Sequence, residues 1–370
     1  MSDFNHFIYL DSKIIGTARQ IAVFFKRGIF QTRNTQVLIK KYKHKSAKQL
    51  SNIFKQEHIP FRFVNMNDLD NLSSGVVFYP FNAQSNTRFV ANRRLQHIFV
   101  THGESNKIAS IKPIIRIYDY VTTAGQAGID RFLAHQIFTQ HDIDLGRLIM
   151  MGDTFIGETG LSCHGQGIPC VFYAPTWEGG VQHENYSSLS HVEIISKTII
   201  DLCKKHGVHH VALKPHPNTG HRLPIYKQYL WRLAYNLSSQ NLNITIHKNF
   251  SIGKWESWKL RRKNIDISDT LNNFYAIEGL CDISAIETQL LNEDIPYSIF
   301  WDKALHKNIL ADQEIYSPSP LNTNLNGTYF WEINSQFKTV EEFKYYTIDA
   351  EMTKAPIAAR IGLLLNKIKS

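Results

Sequence analysis

Short apolar runs recur along the chain, separated by stretches with helical spacing. Phe7-Ile8-Tyr9-Leu10, Gln36-Val37-Leu38-Ile39 and Gly75-Val76-Val77-Phe78-Tyr79 read as the first three strands. His97-Ile98-Phe99-Val100-Thr101 is a fourth, followed by Ile114-Ile115-Arg116-Ile117-Tyr118 and Tyr120-Val121-Thr122-Thr123. Between strands, residues 46–57 place Ala47, Leu50, Ile53 and Phe54 at helical spacing. Strands alternating with helices predict βαβ units and a parallel sheet.

A cluster of Gly157, Gly160, Gly165 and Gly167, with Pro169 just after, is the expected joint between domains. The pattern then restarts. Cys170-Val171-Phe172-Tyr173-Ala174 is a strand, residues 190–206 a long helix, residues 208–214 a strand, and Ile244-Thr245-Ile246 a short one. Residues 271–277 look helical and lead into Cys281-Asp282-Ile283-Ser284. An amphipathic stretch over 355–367 closes the pattern. The expected division is an N-terminal domain over 1–165, a C-terminal domain over 166–345, and a C-terminal helix over 346–370 that packs back on the first domain.

Composition narrows the field. The 370 residues are 43% hydrophobic and 20% charged, enough for a sizeable core and against a disordered chain. There is no apolar run long enough to span a membrane and no secretory leader at Met1, and the four cysteines suit a reducing cytoplasm. The net charge of +9, from 41 Lys+Arg against 32 Asp+Glu, points to an anionic partner without naming it.

Four segments place polar groups at the ends of apolar strands, where open α/β sheets bind ligands. In Thr101-His102-Gly103-Glu104-Ser105-Asn106-Lys107, His102 sits on a turn as a candidate general base. Gly103, Ser105 and Lys107 stand beside it as candidate acceptor-side residues. In Tyr173-Ala174-Pro175-Thr176-Trp177-Glu178-Gly179, Thr176 is a candidate phosphate ligand, and Ser187 or Ser188 is a helix cap facing an anion. In Leu213-Lys214-Pro215-His216-Pro217-Asn218, two prolines stiffen the backbone around His216, and Lys214 adds charge. In the last segment, Asp282 and Ser284 stand where a strand hands over to a helix near Ala285. Ser284 reads either as a phosphate ligand or, with Glu287, as a capping box.

Other motifs are thinner. Cys163-His164 with Cys170 lacks the paired spacing of a zinc site, so no metal is expected. There is no Walker A motif and no ordered G-x-G-x-x-G after the first strand, and no nucleic-acid module is evident. The basic run Lys40-Lys41-Tyr42-Lys43-His44-Lys45 reads as a solvated face or as a dock for a membrane surface or polyanion.

Together the four segments resemble the family of CDP-glycerol or CDP-ribitol glycerophosphotransferases, the teichoic-acid primases and polymerases and related capsule domains. The resemblance rests on His102-Gly103, on Tyr173 to Trp177, on His216-Pro217 and on Asp282-Ile283-Ser284-Ala285, in that order. It spans residues 95–300, and no motif of the first 90 residues joins it. Two departures mark it: Glu178-Gly179 follows Trp177 in place of a basic residue, as in the capsule-associated branch, and Ala285 stands where a second serine is common. The resemblance implies a GT-B fold, with two Rossmann-like domains facing each other across a cleft. It implies an acceptor on the first domain and a CDP-linked donor on the second. It implies His102 and His216 as the catalytic pair and no metal or other cofactor. Partners on this reading are CDP-glycerol or CDP-ribitol, an anionic glycan or lipid-linked saccharide, the inner face of the cytoplasmic membrane, and other capsule enzymes. Two rivals stay open: a GT-B transferase of CMP-activated sialic acid or Kdo, and a non-catalytic polyanion- or membrane-binding protein.

Overall fold

The computed structural model describes residues 4–41, 45–101, 104–248, 252–307, 309–310, 315–334 and 340–369. The chain divides into two compact units. The first comprises residues 1–104, 111–156 and 345–370; the second comprises 105–110 and 157–344. The division thus falls at 156/157, where the glycine cluster begins, not at 165/166.

Among the described residues the first unit holds seven strands: β1 (His6–Leu10), β2 (Thr35–Lys40), β3 (Phe61–Val64), β4 (Val76–Tyr79), β5 (Gln96–Phe99), β6 (Tyr120–Thr123) and β7 (Leu148–Met150). They form one all-parallel sheet in the order β3-β2-β1-β4-β5-β6-β7. Separate apolar clusters cover its two faces. One is built on Ile8, Val37, Phe78 and Ile98, the other on Tyr9, Leu38, Val77 and Phe99. Alternate residues of each strand feed opposite clusters, so the strands are apolar throughout rather than alternating.

The second unit holds β8 (Ile168–Ala174), β9 (His210–Leu213), β10 (Asn243–His247), β11 (Ile265–Ser268), β12 (Phe274–Asp282), β13 (Tyr297–Phe300), β14 (Tyr316–Pro318) and β15 (Phe330–Ile333). Their order is β11-β10-β9-β8-β12-β13-β15-β14, parallel except at the β13–β15–β14 edge.

Two sequence expectations fail. Residues 114–118 form a 3-10 helix, Pro113–Ile117, not a strand. Pro113 sits in its first turn, and only Asp119 separates Tyr118 from β6, too little chain for a parallel crossover. Residues 274–277 belong to the strand β12, not to a helix. A register shift between Ala276 and Glu278 marks a bulge there. The extra residue breaks the two-residue alternation and imitates helical spacing.

Residues 345–370 belong to the first unit, and their attachment is polar as well as apolar. Met352, Ile361 and Leu364 join the cluster around Ile8 and Phe78. Arg360, buried, donates to the carbonyls of Ala355 (2.9 Å) and Thr353 (2.8 Å) and pairs with Asp153. Among the described residues, no helix is long and apolar enough to cross a membrane.

Candidate functional site

In the second unit the chain leaves β8 towards β9 on one side and leaves β12 towards β13 on the other. The ends of β8 and β12 therefore form the switch point at which such sheets open a crevice. Three of the four sequence segments end here or next door, after β8, β9 and β12.

The centre of the switch point is Asp282, fully buried at the end of β12. One oxygen accepts the backbone N–H of Thr176 (2.7 Å) and of Ser188 (3.1 Å); the other takes the Ser188 hydroxyl. The Tyr173 hydroxyl, fully buried in β8, lies 2.6 Å from the Ser188 hydroxyl. Ser187 donates to the Thr176 carbonyl (2.8 Å) and caps the following 3-10 turn. Lys107 donates to the Thr176 hydroxyl (2.6 Å). Burial pushes the Asp282 carboxyl up to about 7, against the hydrogen bonds from Ser188 and Thr176 and the Lys107 charge. Burial likewise pulls the Lys107 ammonium down to about 8, opposed by Asp282 and Glu184.

Thr176, Ser187, Ser188 and Asp282 are thus brought together, with their polar atoms engaged with one another. Lys107 joins them from an unexpected side. Ser105 and Lys107, read from the sequence as acceptor-side residues of the N-terminal domain, belong to the second unit. The segment 105–110 is held there by a bridge between Lys107 and Ile309, by Asn106 donating to the Tyr316 hydroxyl (3.1 Å), and by the Lys107 bond. The Ser105 hydroxyl accepts the Lys107 N–H (3.2 Å).

His216 stands on the loop after β9. Its N–H donates to the Pro175 carbonyl (3.2 Å), and its ring stacks on Trp177 with centroids 5.7 Å apart and planes 14° from parallel. Its Nδ1 accepts the Asn218 N–H at 3.1 Å. An Nδ1 that accepts leaves the proton of the neutral ring on Nε2, so Nε2 is a donor.

Glu178 holds this loop. It is fully buried, and its carboxylate accepts three backbone N–H groups: Gly220 at 3.0 Å, Arg222 at 2.8 Å and Leu223 at 2.9 Å. Arg222 returns the contact, donating to the carbonyls of Glu178 (2.6 Å) and Gly179 (2.8 Å). Gly179 has φ +69°, and a Cβ there would lie 2.4 Å from the Glu184 carbonyl oxygen, so only glycine fits. Within the same loop the Thr219 hydroxyl is buried and has no hydrogen-bond partner among the described residues. The sequence showed Glu178 only as a missing basic residue; its role depends on a loop more than forty residues away. Glu178→Gln puts an NH2 against one of the three N–H donors. It should cost about 1–2 kcal/mol of stability, read by chemical denaturation, and should loosen the 216–223 loop in amide exchange.

Lys214 points elsewhere. It donates to the carbonyls of Glu158 (2.7 Å) and Thr159 (2.9 Å), and burial pulls it down to about 8, opposed by the charges of Glu293 and Glu158. Ser284 is nearly buried, and its hydroxyl accepts the Ile286 N–H at 3.4 Å. The capping box expected with Glu287 does not form. The Ile286–Asn292 helix starts from Ala285 without a side-chain cap, and Glu287 instead takes the Tyr316 hydroxyl.

In the first unit, His102 and Gly103 lie outside the described residues. The chain beyond them is fixed by Glu104, a buried carboxylate that accepts from Arg131 (2.7 Å) and from the Ala124 N–H (2.8 Å). Of the basic run, Lys40 pairs with Asp11 at 2.7 Å, and residues 42–44 lie outside the described set. Among the described residues, no three His, Cys, Asp or Glu side chains group as metal ligands would.

No family model matches the chain, and neither does any curated protein sequence. Solved structures similar to it include a putative UDP-N-acetylglucosamine 2-epimerase from Listeria monocytogenes, at 9% identity and TM-score 0.45, covering 80% of this chain and 79% of that one. Another is the S. aureus MnaA–UDP complex, at 9% identity and TM-score 0.46, covering 100% and 98%. A third is the UDP-GlcNAc 2-epimerase of Methanocaldococcus jannaschii, at 10% identity and TM-score 0.44, covering 98% and 99%. None of these three is a glycerophosphotransferase. The fold is α/β, with two Rossmann-like units in one chain, the first on an all-parallel sheet and the second on a sheet parallel except at one edge.

Proposed function

We propose that the chain transfers glycerol phosphate or ribitol phosphate from a CDP-polyol to a hydroxyl of a glycan or lipid-linked acceptor, releasing CMP. The observation that carries this reading is the state of His216: Nδ1 is occupied by the Asn218 N–H, and the ring is stacked on Trp177. The imidazole is thereby oriented in advance, with its neutral-ring proton on Nε2 as a donor, as stabilising charge on a leaving phosphate requires.

On this reading the acceptor oxygen attacks the polyol-bearing phosphorus. The bond from that phosphorus to the bridging oxygen breaks, and CMP leaves with the electron pair. His216 donates Nε2–H to the donor's phosphate oxygens. His102, following β5, takes the proton of the attacking hydroxyl. The Ser284 hydroxyl is the remaining phosphate ligand of the second unit. The Asp282 network and Glu178 hold the strand ends and the His216 loop in place. Phosphoryl transfer asks mainly for positioning and electrostatics, which this set supplies.

The test is CMP release from CDP-glycerol, CDP-ribitol, CMP-sialic acid and CMP-Kdo, each with a glycan acceptor. CMP from either CDP-polyol, with the polyol phosphate found on the acceptor by mass spectrometry, supports the reading. CMP from a CMP-sugar alone replaces it with glycosyl transfer. Intact donors throughout remove both.

A further inference from the structure

The Lys254–Arg261 helix of the second unit carries an exposed aromatic and basic surface that the chemistry above does not use. Trp255 is 67% exposed and Trp258 52%, one helical turn apart on one face. Two exposed tryptophans side by side are costly in water and ordinary at a membrane interface, where the ring is half apolar and half wet. Cations lie over both rings. Lys259 Nζ is 3.5 Å from the Trp255 ring centroid, and the Arg262 guanidinium is 4.8 Å from that of Trp258. Arg261 and Lys263 are exposed beside them.

Little negative charge opposes them. Glu256 is the one carboxylate of this helix, and it is turned back to accept the Gly253 N–H at 3.0 Å. Leu260 is buried and fixes the helix to the unit by its other side. The exposed surface therefore presents two indoles with Lys259 and Arg262 over them, flanked along the chain by Arg261 and Lys263.

We propose that this face docks on an anionic phospholipid bilayer. The tryptophans enter the headgroup region, and Lys259, Arg261, Arg262 and Lys263 meet lipid phosphates. Charge complementarity selects the occupant: the face is cationic, and short Trp-plus-Lys/Arg helices suit a bilayer surface. The inference stands apart from the reaction, because it concerns binding and uses none of the residues assigned to catalysis.

The experiment is sedimentation of the full chain with phosphatidylcholine vesicles, with and without phosphatidylglycerol, alongside tryptophan emission. Binding is expected only with phosphatidylglycerol, with a blue shift, and weakening as salt rises. The double variant Trp255→Ser/Trp258→Ser should bind at least about tenfold more weakly. Lys259→Glu/Arg262→Glu should lose the dependence on phosphatidylglycerol. Both pairs are on the surface, so their far-UV spectra and melting should match the parent. Equal binding to neutral vesicles, or unaltered binding by both variants, overturns the proposal. So does heparin binding that both variants abolish while vesicle binding stays absent; the face is then a polyanion site. CMP release measured with a soluble acceptor reports separately on the reaction.

Discussion

His216→Ala should lower CMP release from the productive donor by about 10²–10³-fold, the usual cost of removing one oriented donor to developing charge. The effect should fall mainly on kcat, because the bond to the phosphate oxygens strengthens as CMP departs. Stability should barely change, since the ring is only partly buried and lies on a loop already held by Glu178. His216→Gln keeps an N–H donor on a side chain of similar reach and should recover part of the loss. A His216→Ala enzyme that keeps nearly the parental rate, with its melting unchanged, would remove the imidazole from the mechanism.

The second large effect concerns stability. Asp282→Ala should cost about 3–5 kcal/mol, because it leaves two buried backbone N–H groups and the Ser188 hydroxyl without their acceptor and removes one of the two negative charges that oppose the desolvation of Lys107. Asp282→Asn keeps the shape and should cost less. It also isolates the proton linkage. The carboxyl titrates at about 7 in the native chain, against 3.8 for an ordinary aspartate in water. Between those values the native state holds a proton that the unfolded state has released. Stability should therefore fall as pH rises from about 4 to about 7 and then level off. Denaturant titrations across that range should show a steeper fall for the parent than for Asp282→Asn. Parallel curves would mean that Asp282 is ionised throughout.

Glu178 and Asp282 show how much of the site was legible in advance. Both appear in the sequence as single acids in short polar segments. Position after an apolar strand marked those segments, because a strand end is a local property. What each acid does was hidden, because its partners are distant. Glu178 accepts from residues 220–223, and Asp282 accepts from residues 176 and 188. Likewise nothing local distinguishes Lys214, whose carbonyl partners are at 158–159, from a lysine turned to a phosphate.

The sequence by itself determined the strand and helix alternation and the neighbourhood of the division. Both follow from periodicity and from glycine and proline, which act over a few residues. It misassigned residues 114–118 and 274–277, where a proline-started turn and a bulge mimic other periods. Only the tertiary structure decided that residues 105–110 join the second unit and that Asp282 is the hub of the switch point. Those outcomes depend on which distant groups can satisfy one another when buried. Desolvation makes each unpaired polar atom expensive, so pairing is settled across the whole fold and not along the chain.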